Sequence, residues 1–287
     1  MAAVFWQGVL MEFKQIGFVG LGVMGAPICG HIARYHAVLA YDQDPSLSQV
    51  DGLAELAQCD LLLFCLPNGE AVRALTDELL GLLKPGALVA DLGTSPVPLT
   101  KALGEAFAAK AMIFADCPIT RTRQAAIDGT LSTLVGGERE TFERLEPVLR
   151  CFSEEVTHCG PLGAGQVFKQ MNNMVLFQTV HALAEALATV RAAGYDGDLL
   201  FEAMSKGSAD SFALRNHGAK ALLKDTFPKR AFSSEYALKD LCYALDLAEA
   251  EGLQLTGAEA CKARLLDAIE DGYGADYFPT IIKTINP

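Results

Sequence analysis

Apolar and polar positions follow two different patterns in the two parts of this chain. Up to about residue 136, short runs of consecutive apolar residues alternate with amphipathic stretches of helical period. Such runs are typical of strands buried on both faces of a parallel sheet, and the stretches between them are typical of the covering helices. The predicted strands are 15–20, 37–42, 60–66, 87–91, 112–115 and 132–136.

From Gly160 onward the alternation stops, and helical patterns continue to the end of the chain. The first helix, predicted over 166–193, is apolar on most of its circumference. Such a helix must be covered on all sides, which predicts burial within an all-α domain and contact with a second copy of the chain. Further helices are predicted over 196–206, 209–223, 231–252 and 256–270. The fold class is therefore α/β, with a doubly wound parallel sheet followed by an all-α domain.

The segment between Asp42 and Asp60 is shorter than a doubly wound domain usually has between two of its strands. It contains one short helical piece, around residues 53–57. We therefore expect a helix to be shortened or missing here, and whether a strand is also affected stays open.

The first predicted strand runs directly into Gly-x-Gly-x-x-Gly, at Gly20, Gly22 and Gly25. In a Rossmann-type domain these glycines permit a tight turn, a close approach of backbone to pyrophosphate, and close packing of helix on strand. Glycine-rich turns are common, so the pattern alone also fits a plain strand–helix turn. Asp42 favours the dinucleotide, because it ends the next strand 22 residues after Gly20, near the offset of a ribose-binding carboxylate. That carboxylate repels a 2′-phosphate and Gln43 cannot bind one, so NAD is predicted in preference to NADP.

Further ligand contacts are expected at the carboxyl ends of the next strands, where open α/β sheets bind their ligands. The strand 60–66 ends in Leu66 and Pro67, which should line the dinucleotide. Thr94 places a hydroxyl at the same edge, although residues 94–96 would also cap the helix that follows. The cofactor-binding residues predicted in this part of the chain are Gly20, Leu21, Gly22, Val23, Met24, Gly25, Asp42, Leu66, Pro67 and Thr94.

Two arginines, Arg121 and Arg123, follow the strand predicted at 112–115. An arginine beside a ligand crevice suits a carboxylate, sulfonate or phosphate, because the guanidinium is a rigid bidentate donor. Ordinary solvated charge is the alternative for both side chains. Position favours Arg121 as the residue nearer to the site.

Lys169 and Asn173 lie four residues apart on the long apolar helix and therefore share one face of it. A charged lysine in apolar surroundings is costly unless it is paired or takes part in a reaction. Burial also lowers the pKa of an amine toward neutrality, where the amine can donate and recover a proton. A snorkelling lysine is the alternative. The place of Lys169 just after the change of pattern favours catalysis. Lys239 and Asp240 form a second candidate pair, for which a contact with the cofactor and a solvated helix face are both open.

The composition argues against several other functions. A formal net charge of −12 does not suit a nucleic-acid surface. The eight cysteines include no C-x-x-C pair, which favours reduced thiols in the cytoplasm over disulfides or zinc. The chain has no uninterrupted apolar run of about 18 residues, which argues against a membrane span. No histidine has a partner at metal-ligand spacing and there is no Gly-x-Ser-x-Gly elbow, so neither a metal site nor serine-hydrolase chemistry is predicted.

Three segments are predicted along the chain. Residues 1–13 are interpreted as an extension, because they lack the basic region and the cleavage site of a signal peptide. Residues 14–162 are predicted to form the dinucleotide-binding domain. Residues 163–287 are predicted to form an all-helical domain for substrate binding and dimerisation.

These motifs, in this order, resemble the β-hydroxyacid dehydrogenases, relatives of 3-hydroxyisobutyrate dehydrogenase, tartronate semialdehyde reductase and 6-phosphogluconate dehydrogenase. The resemblance extends from residue 14 to about residue 283. The elements that carry it are Gly20-Leu21-Gly22-Val23-Met24-Gly25-Ala26-Pro27, Asp91 with Thr94, Asp116-x-Pro118, Gly129-Thr130-Leu131, Gly136-Gly137, Gly163-x-Gly165-x-x-x-Lys169-x-x-Asn172-Asn173, and Lys239-Asp240.

The resemblance assigns roles to individual residues. It implies that Lys169 is the general acid/base and that Asn173 orients the substrate. It also implies that Lys239 lies near the nicotinamide, as a further cofactor-binding residue, and that Thr94 lies between cofactor and substrate.

The chain departs from the family pattern at two places. Gly93 precedes Thr94 where the family usually has serine, so one hydroxyl is lost. Thr120-Arg121-Thr122 stands where the family usually has Ser-Gly-Gly, and this change is similar to the sulfolactaldehyde reductase branch. The similarity implies a small substrate whose anion, a carboxylate or a sulfonate, is held by Arg121. The substrate-binding residues implied are Thr94, Thr120, Arg121 and Thr122.

The sequence therefore predicts an NAD-dependent oxidoreductase that interconverts a small anionic 3-hydroxy acid, or its sulfonate analogue, and the corresponding semialdehyde. An imine reductase of the same architecture and a non-catalytic dinucleotide-binding scaffold are the alternatives. The pair of Lys169 and Asn173 disfavours both.

Overall fold

The computed structural model describes residues 13–229 and 231–285. Within these residues eight strands form one sheet. They are β1 (Ile16–Val19), β2 (Val38–Tyr41), β3 (Leu61–Phe64), β4 (Leu88–Asp91), β5 (Ile113–Asp116), β6 (Ile119–Thr120), β7 (Leu131–Gly136) and β8 (Ser153–Gly160). All six predicted strands are present, each within two residues of its predicted bounds.

The strand order is β2-β1-β3-β4-β5-β7-β6, with β8 paired to β7. Strands β1 to β5 pair in parallel, β7 runs antiparallel to β5 and β6, and β8 runs parallel to β7. Phe64 is in register with Asp91, and Asp91 with Asp116, so the carboxyl ends of β3, β4 and β5 are level. The predicted fold class is confirmed: a doubly wound, mainly parallel sheet precedes a series of helices.

Helices cover both faces of this sheet. They are α1 (Gly25–Ile32), α2 (Gly69–Leu79), α3 (Val97–Ala108), α4 (Arg123–Asp128) and α5 (Arg139–Leu149). Leu61 and Leu63 of β3 pack in the apolar cluster that includes α1, α4 and α5. Leu62 and Phe64 point to the other face and pack with α2 and α3. Strand β3 is apolar at every position because both of its faces are covered.

Strand β2 lies at the end of the sheet. The chain returns from it to β3 through a short 3₁₀ helix, Leu53–Gln58, which is anchored by the fully buried Leu56. Between β2 and β3, a stretch that is described throughout, no further strand is found. The expectation of a shortened connection is confirmed.

The apolar pattern does not predict β6 or β8. Strand β6 has two residues, which are too few to show a pattern. Strand β8 has the sequence Ser-Glu-Glu-Val-Thr-His-Cys-Gly, and most of its residues are exposed or half-buried. Its register against β7 shifts twice, between Leu131 and Ser132 and between Val135 and Gly136. A largely polar strand with an irregular register carries no alternating signal.

The second half of the described chain is helical. Its elements are α6 (Ala164–Ala192), α7 (Gly197–Ser205), a π-helix (Leu214–Leu222), α8 (Ser234–Ala250), α9 (Thr256–Ala268), a short π-helical turn (Ile269–Tyr273) and a 3₁₀ helix (Phe278–Thr284). Phe177 of α6 stacks on Phe232 and meets Phe278 edge to face, with ring centroids 5.6 and 5.2 Å apart. These rings lie in an apolar cluster that includes residues of α6, α8 and α9.

Packing divides the chain into two compact units, one up to Lys169 and one from Gln170 onward, so the division falls inside α6. The predicted extension, residues 1–13, lies outside the described residues except for Phe13. Phe13 is buried in the apolar cluster of the first unit. Among the described helices, none combines the length and apolar character that a membrane crossing requires.

Candidate active site

The three glycines after β1 are required for different reasons. Gly20 has a φ of 93°, and a side chain there would bring Cβ to 2.5 Å from the carbonyl oxygen of Cys65. At Gly25 a Cβ would lie 1.8 Å from the carbonyl oxygen of Gly20, so this glycine brings α1 against the turn. A Cβ on Gly22 would have no atom within 4 Å and would project into open space. The turn is therefore closely packed at Gly20 and Gly25 and open at Gly22, which leaves room for a phosphate.

Asp42 at the end of β2 holds the same turn. Its Oδ2 accepts a hydrogen bond from the N–H of Leu21 at 2.6 Å, and its Oδ1 accepts one from the N–H of Asp44 at 2.9 Å. Gly22 and Val23, which lead into α1, are exposed. An exposed helix N-terminus beside a carboxylate offers N–H donors for phosphates and an acceptor for ribose hydroxyls. The residues present therefore fit a dinucleotide.

The loops that follow β1, β3 and β4 pack together at the carboxyl edge of the sheet. The carbonyl of Cys65 abuts Gly20, and the carbonyl of Leu66 would lie 2.9 Å from a Cβ on Gly93. Leu66 is half-buried and Pro67 is exposed. The structure thus brings the predicted cofactor residues of all three loops to one edge, as a doubly wound sheet requires.

The loop after β4 is fixed by the buried carboxylate of Asp91. Its Oδ1 accepts from the N–H of Gly93 and its Oδ2 accepts from the hydroxyl of Ser95, both at 2.7 Å. Thr94, between these two residues, is 6% exposed. Because a Cβ on Gly93 would contact the carbonyl of Leu66, a serine at position 93 would require the loops after β3 and β4 to shift apart in this chain.

Asp116, at the end of β5, anchors the start of α6. Its carboxylate is completely buried and accepts from the N–H groups of Gly163 and Gln166, both at 2.7 Å. Burial raises the pKa of Asp116, and these backbone hydrogen bonds oppose the rise. A Cβ on Gly136 or Gly165 would lie within 3 Å of the carboxylate oxygens. Three motifs from distant parts of the chain therefore make one joint: a carboxylate, the helix end that it caps, and two glycines that leave room for it.

Lys169 follows this joint on α6 and is half-buried. Asn173 lies one turn further along the helix and is 2% exposed. Its Nδ2 donates to Oδ2 of Asp240 at 2.7 Å, and its Oδ1 accepts from Nδ2 of Asn172 at 3.2 Å. The amide of Asn173 is therefore held in one orientation from two sides.

Lys239 lies on α8 beside Asp240. Its Nζ is 2.7 Å from Oδ1 of Asp240, and it also lies 4.2 Å and 4.9 Å from the ring centroids of Tyr236 and Tyr243. The buried carboxylate of Asp240 thus binds Lys239 with one oxygen and Asn173 with the other. The predicted pair of Lys239 and Asp240 is one ion pair that also orients Asn173.

The turn after β6 holds the three residues of the second departure. The backbone of Arg121 is left-handed, with a φ of 81°, a conformation that favours glycine over residues with a side chain. Its Nη1 lies 2.5 Å from the carbonyl oxygen of Thr130 and 2.5 Å from Oε2 of Glu154. The hydroxyl of Thr120 donates to a carbonyl on β7, and that of Thr122 caps α4. All three side chains have partners within the first unit.

Sequence reasoning does not find every polar residue of this region. Gln166 is completely buried, and its amide is bonded to the loop that carries Thr94. Asp91 appears in the sequence only as part of a motif, without its role in holding that loop. A glutamine in the first turn of an apolar helix is a detectable signal, because a buried amide needs partners. Its partners lie more than 70 residues away and cannot be inferred from spacing.

Comparisons with known proteins agree with this geometry. Residues 15–160 match the model of the NAD binding domain of 6-phosphogluconate dehydrogenase, and residues 163–285 match the model described as NAD-binding of NADP-dependent 3-hydroxyisobutyrate dehydrogenase. The 3-hydroxyisobutyrate dehydrogenase of Pseudomonas aeruginosa is 31% identical over 92% of this chain and 94% of that protein. The NAD-dependent L-serine dehydrogenase of the same organism is 28% identical over 96% of this chain and 98% of that protein.

A solved structure of Mycobacterium tuberculosis 3-hydroxyisobutyrate dehydrogenase with L-serine is similar over almost the whole chain. The TM-score is 0.88 at 26% identity, with 96% of this chain and 100% of that chain covered. Both halves of the sequence are matched by family models, and the relatives are matched over nearly their full length. This chain belongs to the β-hydroxyacid dehydrogenase family, a family of oxidoreductases with a Rossmann domain for NAD or NADP.

Proposed function

We propose that this protein is an NAD-dependent dehydrogenase that interconverts a small anionic 3-hydroxy acid, or its sulfonate analogue, and the corresponding semialdehyde, with Lys169 as general acid/base. The observation that carries the proposal is the start of α6. There Lys169 follows a helix end fixed by Asp116, and Asn173, one turn on, is held in one orientation by Asp240. Such fixed placement of polar groups is what general acid/base catalysis needs.

The names of the relatives support the substrate class. One P. aeruginosa relative is a 3-hydroxyisobutyrate dehydrogenase, another is an L-serine dehydrogenase, and the M. tuberculosis structure contains L-serine. 3-Hydroxyisobutyrate and serine are both small acids with a hydroxyl group on the third carbon. We infer that the substrate of this chain has the same pattern of a hydroxyl and a nearby anion.

Different residues of this chain have different roles in the proposed reaction. In oxidation Lys169 takes the proton from the substrate hydroxyl, and in reduction it returns that proton to the carbonyl oxygen. Asn173 orients the same oxygen through its amide. Thr94 donates or accepts a hydrogen bond between cofactor and substrate. The dinucleotide, when bound, supplies the hydride chemistry, and the residues that would hold it are Gly20, Leu21, Gly22, Val23, Met24, Gly25, Asp42, Leu66, Pro67, Thr94 and Lys239.

We propose NAD as the preferred cofactor because of Asp42. Its carboxylate lies against the glycine turn and carries a negative charge where a 2′-phosphate would have to sit. The following Gln43 and Asp44 provide no positive charge that could bind that phosphate.

We propose that Arg121, with Thr120 and Thr122, binds the substrate anion. The guanidinium is paired with Glu154, whose side chain is 59% exposed, so this pair is weak and a tightly bound anion can compete for it. A guanidinium binds a sulfonate as well as a carboxylate, and both substrate classes stay within the proposal.

We also propose that the protein works in the cytoplasm as a homo-oligomer assembled through α6. Phe168 and Val175 lie seven residues apart on one face of this helix and are 52% and 57% exposed. Large apolar side chains exposed in a row are typical of an interface between subunits. All eight cysteines are unpaired, which suits a reducing compartment.

The proposal is tested by NADH absorbance with a panel of small semialdehydes that carry a carboxylate or a sulfonate, and with the corresponding hydroxy acids. We expect turnover by the wild type and at least about a 10³-fold loss of kcat in Lys169→Ala. NADH affinity, measured by fluorescence titration, should stay within about threefold of the wild type. The matched control is Lys101→Ala, which removes an exposed lysine on α3 in the same compact unit. Wild-type activity that survives Lys169→Ala would overturn the assignment.

A further inference from the structure

Gln166 is a buried polar residue for which the proposed chemistry provides no role. It lies in the first turn of α6, and none of its surface is exposed. A buried amide is costly unless both of its ends are paired. Its Nε2 donates to the carbonyl oxygen of Gly93 at 2.9 Å, and its Oε1 accepts from the N–H of Ser95 at 3.0 Å. Both ends of the side chain therefore bind the backbone of one loop.

These two hydrogen bonds bracket Thr94. Asp91 binds the same two neighbours, through the N–H of Gly93 and the hydroxyl of Ser95. The loop is thus held at four points, two from its own strand and two from α6. Thr94 lies between them with its position fixed from both sides.

The backbone of Gln166 is fixed independently of its side chain. Its N–H donates to Oδ2 of Asp116 at 2.7 Å, while Oδ1 of the same carboxylate accepts from Gly163. Gln166 therefore ties three elements together: the loop after β4, the end of β5 and the first turn of α6. Lys169 follows three residues later, which is less than one turn of helix.

We infer that Gln166 is a positioning residue that sets the loop carrying Thr94 against the helix carrying Lys169. The inference rests on the proposed function, in which these two side chains act on the same substrate. The two hydrogen bonds of the buried Gln166 amide thereby help to set the distance between Thr94 and Lys169. A misplacement of about 1 Å between reacting groups can cost about 100-fold in rate.

The test is Gln166→Met, which keeps the length of the side chain and removes both hydrogen bonds. The matched control is Gln178→Met, the same change on the same helix at a half-buried position. We expect kcat to fall about 10- to 100-fold in Gln166→Met, with NADH affinity within about threefold of the wild type. The isotope effect on kcat with 4-deuterated NADH should increase, because hydride transfer becomes the slower step. The control should match the wild type in all three measurements.

A merely structural role predicts a different result. It lowers the thermal midpoint but leaves kcat and the isotope effect at wild-type values when both are measured well below that midpoint. A Gln166→Met enzyme whose kcat stays within about twofold of the wild type therefore overturns the inference.

Failure of the proposed function would be seen separately, as a wild type that turns over no member of the panel. Hydrogen exchange at the Ser95 amide then decides the inference, because this N–H donates to Gln166. It should exchange at least about tenfold faster in Gln166→Met than in the wild type or in the control. Unchanged exchange would show that Gln166 does not hold the loop.

Discussion

Gly165 provides a direct test of how α6 is seated on the sheet. A Cβ at this position would lie 2.6 Å from the carbonyl oxygen of Leu134, 2.8 Å from Oδ2 of Asp116 and 3.0 Å from the backbone nitrogen of Gly136. Two of these atoms belong to the backbone of β7, and the third to a carboxylate held by backbone N–H groups. The backbone of a paired strand and a buried carboxylate cannot easily move aside, so Gly165→Ala should displace the start of α6.

The size of the effect follows from one favourable contribution and two costs. Alanine in a helix is favoured over glycine by about 1 kcal/mol. Overpacking against rigid neighbours costs about 1–3 kcal/mol. Loss of one hydrogen bond to the buried carboxylate costs about 1.5–3 kcal/mol more. We therefore expect Gly165→Ala to lower the free energy of unfolding by about 1.5–5 kcal/mol.

Urea denaturation of Gly165→Ala should be compared with that of Gly30→Ala. Gly30 also lies in a helix, but a Cβ there would have no heavy atom within 4 Å. The control should be more stable than the wild type by about 0.5–1 kcal/mol, so the two Gly→Ala changes have opposite signs. A Gly165→Ala protein that is as stable as the wild type would refute the close contact of α6 with β7 and Asp116.

Two further predictions concern the cofactor and acid stability. Asp42→Ser should weaken NADH binding about tenfold and improve NADPH binding, because it removes the carboxylate that is proposed to bind the ribose. Unchanged titrations with both cofactors would contradict this role. Burial lowers the pKa of His217 to about 4 from an ordinary value of 6.5. Below pH 6.5 the unfolded chain therefore binds a proton that the folded chain excludes, and stability should fall by up to ~3 kcal/mol between pH 6.5 and pH 4. His217→Gln should lose this part of the slope in urea titrations, and an unaltered slope would assign the acid sensitivity to other groups.

The parts of the fold that depend on local sequence could be predicted. Strand β3 is apolar at every position, and only a strand covered on both faces explains so short a run. The spacing of the glycine turn and Asp42 is local, and in the structure the two are in contact, whereas their part in binding a dinucleotide stays a prediction. Ser233 accepts from the N–H of Tyr236 and caps the N-terminus of α8, so the helix predicted over 231–252 begins at Ser234, three residues after its predicted start.

The parts that depend on distant partners could not be predicted. Arg121 pairs with Glu154, which is 33 residues away on a strand without an alternating pattern. The positive φ of Arg121 could not be predicted either, because glycine is the residue that usually indicates a left-handed backbone and an arginine does not. The sequence therefore suggests an anion-binding arginine, whereas its partner on β8 becomes visible only in the structure.

The start of the helix that carries Lys169 is fixed by residues to which the proposed function assigns no part in the chemistry. Asp116 caps the helix, Gly136 and Gly165 leave room for that carboxylate, and Gln166 binds the neighbouring loop. A lysine side chain has four rotatable bonds and cannot be placed by its own packing alone. The backbone that carries Lys169 must therefore be fixed if the amine is to contact the same substrate oxygen in each turnover. Under the proposed function, residues of this kind constrain the reaction as strictly as the amine does, and substitutions among them should lower kcat before they change what the enzyme binds.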